Sequence, residues 1–360
     1  MIPDDRQQLQ HVIDQFVGGG KTVVQELGAG NINATYLVTT ARQSFVLQRI
    51  NRQVFPDPIA VAENFAVVVQ HLEERQRQLG THSGFAGLLP TREGKSWFQD
   101  DAGEVWRAQK YLTGRPLARI NNTAQATEVG LALGRFHHLI GDLAVERVQE
   151  PLPGFHVLPA YLQEFDRLNG GFLKARDATL RHCLAIVEDY RDMAPLLQQA
   201  GAQGILQTRI IHGDPKLDNF LFDAAQKRVV SLIDLDTVGP GLLHYDLGDC
   251  LRSCCNRGGE GGDPLKVRFD MDTCRAWLEG YCREMGESLS RHDREYLYEA
   301  VLLISFELGL RFFTDHLRGD TYFKVRREGE NLQRALVQFA LVGCIAKQEV
   351  ALRALLCIGA

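Results

Sequence analysis

The chain has 360 residues, of which 45% are hydrophobic and 24% charged, and its formal net charge is −5. This length is enough for two domains or two large lobes, each with its own core, and the composition is ordinary for a globular protein. The negative charge excludes a general attraction to nucleic acid or to an anionic membrane, although a local basic patch stays possible. The opening "MIPDDRQQLQ" lacks the apolar core of a secretory signal. We therefore expect a cytoplasmic protein without a nucleic-acid or membrane partner, and the sequence leaves the oligomeric state open.

The eight cysteines show no CxxC pair. A metal knuckle or a disulfide framework usually has recognisable spacing, so we expect reduced, partly buried thiols. A metal site made of Cys250, Cys254 and Cys255 is the alternative.

The first third of the chain predicts a small lobe of three to five strands. A helix over "DRQQLQHVIDQFV" ends at the glycines that follow it. Two extended segments in "TVVQELGAGNINATYLVTT" flank a turn rich in Gly and Asn, and "SFVLQRI" is a third strand. The stretch "DPIAVAENFAVVVQHLEERQRQ" has helical apolar spacing and begins with the start signal Asp57-Pro58. A further strand, "EVWRAQKYL", is followed by a turn, and the lobe ends near residue 113.

Helical patterns dominate the rest of the chain. They cover "ATEVGLALGRFHHLI", "AYLQEFDRL", "ATLRHCLAIVEDYRDM", "DTCRAWLEGYCREM", "REYLYEAVLLISFELGLRFFTDHL" and the tail. The short apolar runs "FLF" and "VVSLI" lie between them. We predict an α+β fold of two lobes: residues 1–113 form a β-rich nucleotide-binding lobe, and residues 114–360 form a mostly helical lobe with the catalytic loop, the metal site and the acceptor site.

The stretch "IIHGDPKLDNFLFD" (210–223) concentrates the polar chemistry. It contains H-x-D-x-x-x-x-N, and an Asp closes the apolar run "VVSLID" soon afterwards. Together with an earlier Gly-rich turn between strands, this order is typical of transfer of the γ-phosphoryl group of ATP to a hydroxyl. Asp214 would accept the proton of the acceptor. Asn219, five residues later, and Asp234 would bind Mg²⁺ through hard oxygen ligands.

Other polar residues near this loop have supporting roles in the prediction. We expect His212 to be a scaffold rather than a base, and Asp246 and Asp249 to anchor the loop. Lys216 and Asp218 are expected at the loop surface or at the substrate rim. Asp236 shares a face with the preceding Asp only if the strand continues that far. Its direction is therefore open.

The Gly-rich turn "LGAGNINATYLV" is a candidate phosphate contact. Gly28 and Gly30 allow a tight turn whose N–H groups approach phosphate, and Asn31 and Asn33 add polar contacts. A plain hairpin explains the stretch as well, and its position before "FVLQRI" favours the functional interpretation.

A kinase also needs a cation near the α- and β-phosphates. The third strand has no Lys, and Gln48 and Arg49 lie on opposite faces of it. We choose Arg49, because a guanidinium binds phosphate in bidentate fashion, with Glu63 as its helix partner or as a solvated residue. Adenine would bind the main chain near Tyr111 and Leu112.

Several of these segments resemble a known family. "HGDPKLDN" and "LIDLDTVGPGLLHYDLGD" resemble the aminoglycoside phosphotransferase and choline kinase superfamily, whose members have a protein-kinase-like fold. "GAGNINATYLVTT", "FVLQRIN", "DLGDCLR" and "GLRFFTDHLRGDTYF" are similar to bacterial N-acetylhexosamine 1-kinases. This resemblance implies transfer of the ATP γ-phosphate to the anomeric hydroxyl of N-acetylglucosamine or N-acetylgalactosamine, with Mg²⁺.

Under the resemblance, Asp214 is the base, Asn219 and Asp234 are metal ligands, and Arg311 and Tyr322 line the sugar pocket. The stretch 311–328 is slightly basic, which favours a neutral polyol as the acceptor. A cationic acceptor would require carboxylates or an aromatic cage. The alternatives are Arg311 as a structural residue of a core helix, a kinase of choline, homoserine or aminoglycosides, and a nucleotide-binding pseudokinase.

Overall fold

The computed structural model describes residues 3–27, 32–81, 84–169 and 177–356. Gly28, Gly30 and Asn31 of the predicted phosphate turn therefore lie outside the described residues. The chain forms a small lobe with an antiparallel sheet and a large, mostly helical lobe, which confirms the predicted fold class. The predicted boundary at 113/114 falls in the segment that joins the sheet to the first helix of the large lobe, and it stays a prediction.

The sheet of the small lobe has six strands within the described residues. They are β1 (Val23–Glu26), β2 (Ala34–Thr39), β3 (Ser44–Arg49), β4 (Leu88–Leu89), β5 (Phe98–Gln99) and β6 (Val105–Lys110). The strand order is β1-β2-β3-β6-β4, and β5 pairs with β6 as well. The prediction of three to five strands missed one, since β4 and β5 contain only two residues each and are too short to show a pattern.

The two helices of this lobe divide the sheet into an outer and an inner face. Helix α1 (Pro3–Val17) covers the outer face, where its apolar side chains pack against every second residue of the strands. The buried contacts are Leu9, Val12, Ile13, Phe16, Val38, Phe45, Leu47 and Trp106. Helix α2 (Pro58–Leu79) begins where predicted, because Asp57 accepts a hydrogen bond from the N–H of Ala60 at 3.0 Å as an N-cap.

The large lobe consists of ten helices and two short ribbons within the described residues. The helices are α3 (Thr123–Ile140), α4 (Leu158–Asn169), α5 (Ala178–Tyr190), α6 (Leu196–Ala202), α7 (Leu243–Cys255), α8 (Met271–Met285), α9 (Arg291–Glu295), α10 (Leu297–Leu317), α11 (Glu330–Ala346) and α12 (Glu349–Leu356). One antiparallel ribbon pairs β7 (Thr208–Ile211) with β10 (Gly239–Leu242), and the other pairs β8 (Phe220–Phe222) with β9 (Val229–Leu232). These ribbons carry the polar loops toward the small lobe.

Helix α7 is the largest element that the sequence analysis did not predict. Almost all of its side chains are buried, polar and apolar alike. Its apolar residues do recur at helical spacing, at Leu243, Leu247, Cys250, Leu251 and Cys254, so the prediction missed a helix that the pattern contains. Of the described helices, none alone is long and apolar enough to cross a bilayer; α11 and α12 meet that test only as a pair bent by 76°.

Candidate active site

A buried carboxylate holds the polar loop from behind. Asp246, on α7, accepts hydrogen bonds from the main-chain N–H groups of His212 and Gly213, both at 2.7 Å. The same carboxylate lies 2.8 Å from Nε2 of His137 on α3. Burial opposes its charge, but the bonds from His137 and His212 hold the pKa of Asp246 below its ordinary value. Asp246 therefore anchors the loop, as expected.

The backbone of the loop is tightly constrained. Gly213 has φ of +88°, and a Cβ there would lie 2.6 Å from the carbonyl oxygen of Thr237, so a side chain does not fit. The Nδ1 atom of His212 accepts from the N–H of Asp214 at 3.3 Å, and its Nε2–H donates to the carbonyl of Ile233 at 3.0 Å. With both ring nitrogens engaged by the main chain, His212 supports the loop.

The loop and the end of β9 meet at one point of the cleft. The side-chain amide of Asn219 donates to the carbonyl of Asp214 at 2.6 Å. The carbonyl of Asn219 accepts from the N–H of Ile233 at 2.9 Å, next to Asp234. Lys216 forms an ion pair with Asp214. Burial lowers the pKa of Lys216, but Asp214 and Asp234 raise it overall, so the ammonium stays charged between the two carboxylates.

Asp234 has a backbone conformation that is rare for a residue with a side chain. Strand β9 ends at Leu232, and Asp234 has φ of 68° and ψ of 56°, a left-handed geometry found mostly in Gly and Asn. Its side chain is exposed, yet the surrounding protein atoms and the nearby carboxylate of Asp236 raise its pKa. The alternation that could have aligned Asp234 with Asp236 therefore does not apply.

Asp236 instead joins the two lobes. It is buried, forms an ion pair with Arg107 of β6, and accepts a hydrogen bond from Asn33 next to β2. Arg107 also donates through Nε and Nη2 to Oε1 of Gln48 on β3, at 3.2 and 2.9 Å. Its guanidinium lies 4.4 Å from the ring of Phe65 on α2, and Nη1 is buried without a hydrogen-bond partner in the described part of the chain.

The prediction that Arg49, rather than Gln48, points inward is wrong. Gln48 is 8% exposed and faces Arg107, whereas Arg49 is exposed on the outer face, 5.7 Å from the ring of Trp106. Arg49 instead lines an open cavity of about 550 Å³. Glu63, its expected partner on α2, is exposed. The cation on the inner face comes from the next strand, β6.

Tyr111 and Leu112, the predicted adenine contacts, lie just after β6 in the crossover between the lobes. The crossover reaches the large lobe at Arg115, which exchanges two main-chain hydrogen bonds with Phe222 of β8, at 2.9 and 2.8 Å. The main chain at Tyr111 and Leu112 thus lies at the junction of the lobes.

Arg311 lies in a cluster of aromatic rings near the loop. Its guanidinium carbon is 5.0 to 6.0 Å from the ring centroids of Phe155, Tyr161, Tyr322 and Phe323. Burial lowers the pKa of Arg311, but Tyr161, Glu307 and, more weakly, Asp214 raise it overall. Glu307, which is 3.9 Å from Arg311, contacts His156, and His156 contacts Gly213, so Arg311 and the loop 212–219 lie in one region. In the described part of the chain, Arg311 makes no hydrogen bond, and its nearest charged partner is Glu307 at 3.9 Å.

The loop after α10 folds back because of a single carboxylate. Asp315 accepts from the main-chain N–H groups of Thr321, Tyr322 and Phe323, at 3.0, 2.8 and 2.9 Å. The amide of Asn331 on α11 donates to it as well, at 2.9 Å. These bonds return Tyr322 and Phe323 to the side of α10 that carries Arg311, and Tyr322 stays 50% exposed.

A comparison with family models decides the class of the protein. The model described as "Phosphotransferase enzyme family" matches residues 23–287, which include most of the small lobe and the loop 212–219. The chain belongs to this family. As a member of the phosphotransferase family, it is a small-molecule kinase.

Solved structures with a similar fold include phosphotransferases of several kinds. A microcompartment-associated aminopropanol kinase matches with a TM-score of 0.63 at 17% identity, covering 98% of this chain and 99% of that one. An aminoglycoside phosphotransferase from Alicyclobacillus acidocaldarius has a TM-score of 0.61 at 17% identity, covering 95% and 96%. An ethanolamine kinase from Plasmodium vivax has 0.59 at 12% identity, covering 94% and 87%. These likenesses concern the fold.

Sequence reasoning missed two groups of this phosphotransferase site. Arg107 lies on β6, directly opposite Gln48 of β3, and the pattern of β3 alone does not indicate it. His156 and Glu307 are buried beside the loop and bonded to each other at 2.9 Å. They are far apart in sequence, and no local motif marks them.

Proposed function

We propose that the protein transfers the γ-phosphoryl group of ATP to the anomeric hydroxyl of an N-acetylhexosamine, N-acetylglucosamine or N-acetylgalactosamine. Asp214 accepts the proton of the hydroxyl. In the structure, Lys216 is paired with Asp214. When the acceptor binds, its hydroxyl replaces Lys216 at the Asp214 carboxylate, and Lys216 neutralises charge on the transferred group.

Asn219 and Asp234 are the proposed ligands of Mg²⁺. Their oxygens are hard donors, as the ion prefers, and Mg²⁺ keeps waters and phosphate oxygens in its shell rather than needing a cage of protein ligands. Within the described residues, no group of three or more His, Cys, Asp or Glu residues could hold a metal ion by itself. When bound, the ion would neutralise charge on the phosphates.

The nucleotide would bind between the lobes. Adenine would contact the main chain at Tyr111 and Leu112, and the turn containing Gly28, Gly30 and Asn31 would approach the phosphates. Arg107 is the proposed cation near the α- and β-phosphates, the role that the sequence analysis gave to Arg49. It supplies positive charge on the inner face of the sheet, behind Gln48.

The acceptor class rests on one observation, the guanidinium of Arg311 among aromatic rings beside the catalytic loop. A cation at that place repels the ammonium groups of amino alcohols and aminoglycosides. It donates to hydroxyl and carbonyl oxygens, such as those of an acetamido sugar. The exposed ring of Tyr322 offers an apolar face to the carbon side of a sugar ring.

An ADP-release assay with the purified chain and Mg·ATP tests this proposal. The acceptors are N-acetylglucosamine, N-acetylgalactosamine, glucose, choline, ethanolamine, aminopropanol, homoserine and kanamycin. We expect turnover of the N-acetylhexosamines and none of methyl N-acetylglucosaminide, whose anomeric oxygen is blocked. Phosphorus NMR of the product should show coupling to the anomeric proton. Turnover confined to the amines, or phosphorylation of the methyl glycoside, would overturn the proposed acceptor.

A further inference from the structure

His156 bridges the catalytic loop and helix α10. Its Nε2 atom is 2.8 Å from the carbonyl oxygen of Gly213, the residue before Asp214. Its Nδ1 atom is 2.9 Å from Oε1 of Glu307 on α10. The His156 side chain is buried, and its ring stacks on that of Tyr245 with 5.1 Å between centroids. One ring therefore connects the peptide next to the proposed base with the helix that carries the proposed acceptor site.

The partners of His156 determine its charge. A carbonyl oxygen and a carboxylate only accept hydrogen bonds, so Nε2–H donates to Gly213 and Nδ1–H donates to Glu307. A ring that donates from both nitrogens is an imidazolium. Burial lowers the pKa of His156, but the charge and hydrogen bond of Glu307, with the Gly213 carbonyl, raise it overall.

The backbone of His156 is also unusual. Its φ is +59°, a left-handed value that is uncommon for a residue with a side chain. The amide of Gln198 donates to the carbonyl of His156 at 2.7 Å and to the hydroxyl of Tyr245 at 3.0 Å, and so holds this conformation. Conformations of this kind persist where the surroundings fix them, and they concentrate at functional sites.

Glu307 continues the connection to the acceptor side. It precedes Arg311 by one helical turn, and its Oε1 lies 3.9 Å from Nη1 of Arg311. Glu307 is 2% exposed, and its Oε2 is buried with no partner in the parts of the chain that the structure describes. The single charge of this carboxylate is therefore shared by His156 and Arg311.

We propose that His156 is a positioning residue for phosphoryl transfer. Its imidazolium fixes the Gly213–Asp214 peptide, and through Glu307 it sets the position of Arg311, so that the base and the acceptor-binding cation are aligned by one charged bridge. The inference rests on the proposed function for its account of Arg311, while the contact with the loop requires only that Asp214 is the base.

The first test compares two variants of His156. Asn tolerates the left-handed backbone, but its side chain is too short to bond Gly213 and Glu307 at the same time. Gln is longer, but it is uncharged and bonds only one of these partners at a time. We expect His156→Asn to lower kcat on the order of 10²-fold, because small misplacements of catalytic groups have effects of that size, and His156→Gln to lower it less. The Kd of Mg·ATP should stay unchanged.

The matched control is His244→Asn. His244 is 1% exposed and bonds one main-chain carbonyl, that of Asp293, at 2.9 Å. It lies in neither the loop nor the proposed acceptor site, so kcat should stay near the wild-type value. A kcat for His156→Asn within about twofold of wild type would overturn the proposal.

The pH profile gives a readout that a purely structural histidine would not move. The raised pKa of His156 means that its charge persists to a higher pH than that of an ordinary imidazole and is lost as the pH rises through that pKa. We expect kcat to fall along an alkaline limb in the wild type and the limb to be absent in His156→Asn. In Glu307→Gln it should shift to lower pH, because the carboxylate no longer favours the imidazolium. The other titratable groups around this ring are Tyr245, which stacks on it, Asp249, whose charge raises its pKa, and Arg311, which lies near the same Glu307 carboxylate. An alkaline limb that stays in place in both variants contradicts the proposal.

The two hypotheses fail in different ways. If the wild type phosphorylates an amino alcohol and no N-acetylhexosamine, the proposed acceptor is wrong, and the His156 variants are then compared with the acceptor that is used. Hydrogen–deuterium exchange of the peptide containing 212–219 needs no acceptor at all. It should be faster in His156→Asn than in wild type and His244→Asn, and equal exchange would overturn the bridge.

Discussion

Arg107 of the small lobe and Asp236 of the large lobe form a buried ion pair across the cleft, and their side chains are 1% and 7% exposed. Gln48 accepts from the guanidinium, and Asn33 donates to the second oxygen of Asp236. Since Asn33 belongs to the Gly-rich stretch 27–38, this cluster fixes the small lobe against the segment that carries Asp234.

Arg107→Met should destabilise the protein by about 3–5 kcal/mol, because it leaves Asp236 buried without a counter-charge. In the double variant Arg107→Met/Asp236→Met we expect most of this stability to return. Its affinity for Mg·ATP should nevertheless stay about tenfold below that of the wild type, since the charge near the phosphates is gone. Urea denaturation and nucleotide titration measure the two effects. Wild-type nucleotide affinity in the double variant would mean that Arg107 serves only as the partner of Asp236.

The same cluster shows what the sequence could and could not predict. Local patterns predict strands β3 and β6 and helix α2, and the spacing of Asp214, Asn219 and Asp234 predicts the roles of these three residues. The cation was assigned wrongly because it depends on the register of β3 against β6, which places Gln48 opposite Arg107. Register is a tertiary property that a single strand does not encode.

Asp214→Asn should lower kcat by about 10²–10⁴-fold, the usual contribution of a general base. The Kd of Mg·ATP should change little, because the proposed metal ligands are retained. The amide keeps the shape of the side chain but removes the ion pair with Lys216. Asp142→Asn, at a carboxylate that is 52% exposed and paired with His71, is the control and should behave as wild type. Undiminished turnover in Asp214→Asn would reject Asp214 as the base.

Asp234→Ala should weaken nucleotide binding only when Mg²⁺ is present. Titrating ATP with and without the metal separates the two contributions, and the affinity without metal should match that of the wild type. The left-handed backbone at this position calls for Asp234→Asn as a second variant, because Asn tolerates the conformation and keeps one oxygen donor. Metal-dependent affinity that is unchanged in both variants would count against Asp234 as a ligand.

The side-chain directions of Asp234 and Asp236 also do not follow from the sequence pattern. Alternation along a strand fixes side-chain direction only while the strand lasts, and β9 ends at Leu232. The contact between His156 and Glu307 lies further beyond the reach of local patterns, since 151 positions separate the two residues.

Arg311→Met should reduce kcat/KM for the acceptor by about 10–10²-fold, the loss expected when hydrogen bonds from a charged group disappear, and should leave KM for ATP unchanged. Arg311→Lys should recover part of this, because the charge returns without the planar fork of donors. The matched control is Arg353→Met: Arg353 also lies against an aromatic ring, 4.2 Å from Tyr298, but pairs with Glu299 away from the loop. Steady-state kinetics with each substrate varied in turn distinguish the outcomes. A parallel loss for ATP and acceptor in Arg311→Met would identify Arg311 as a structural residue of α10.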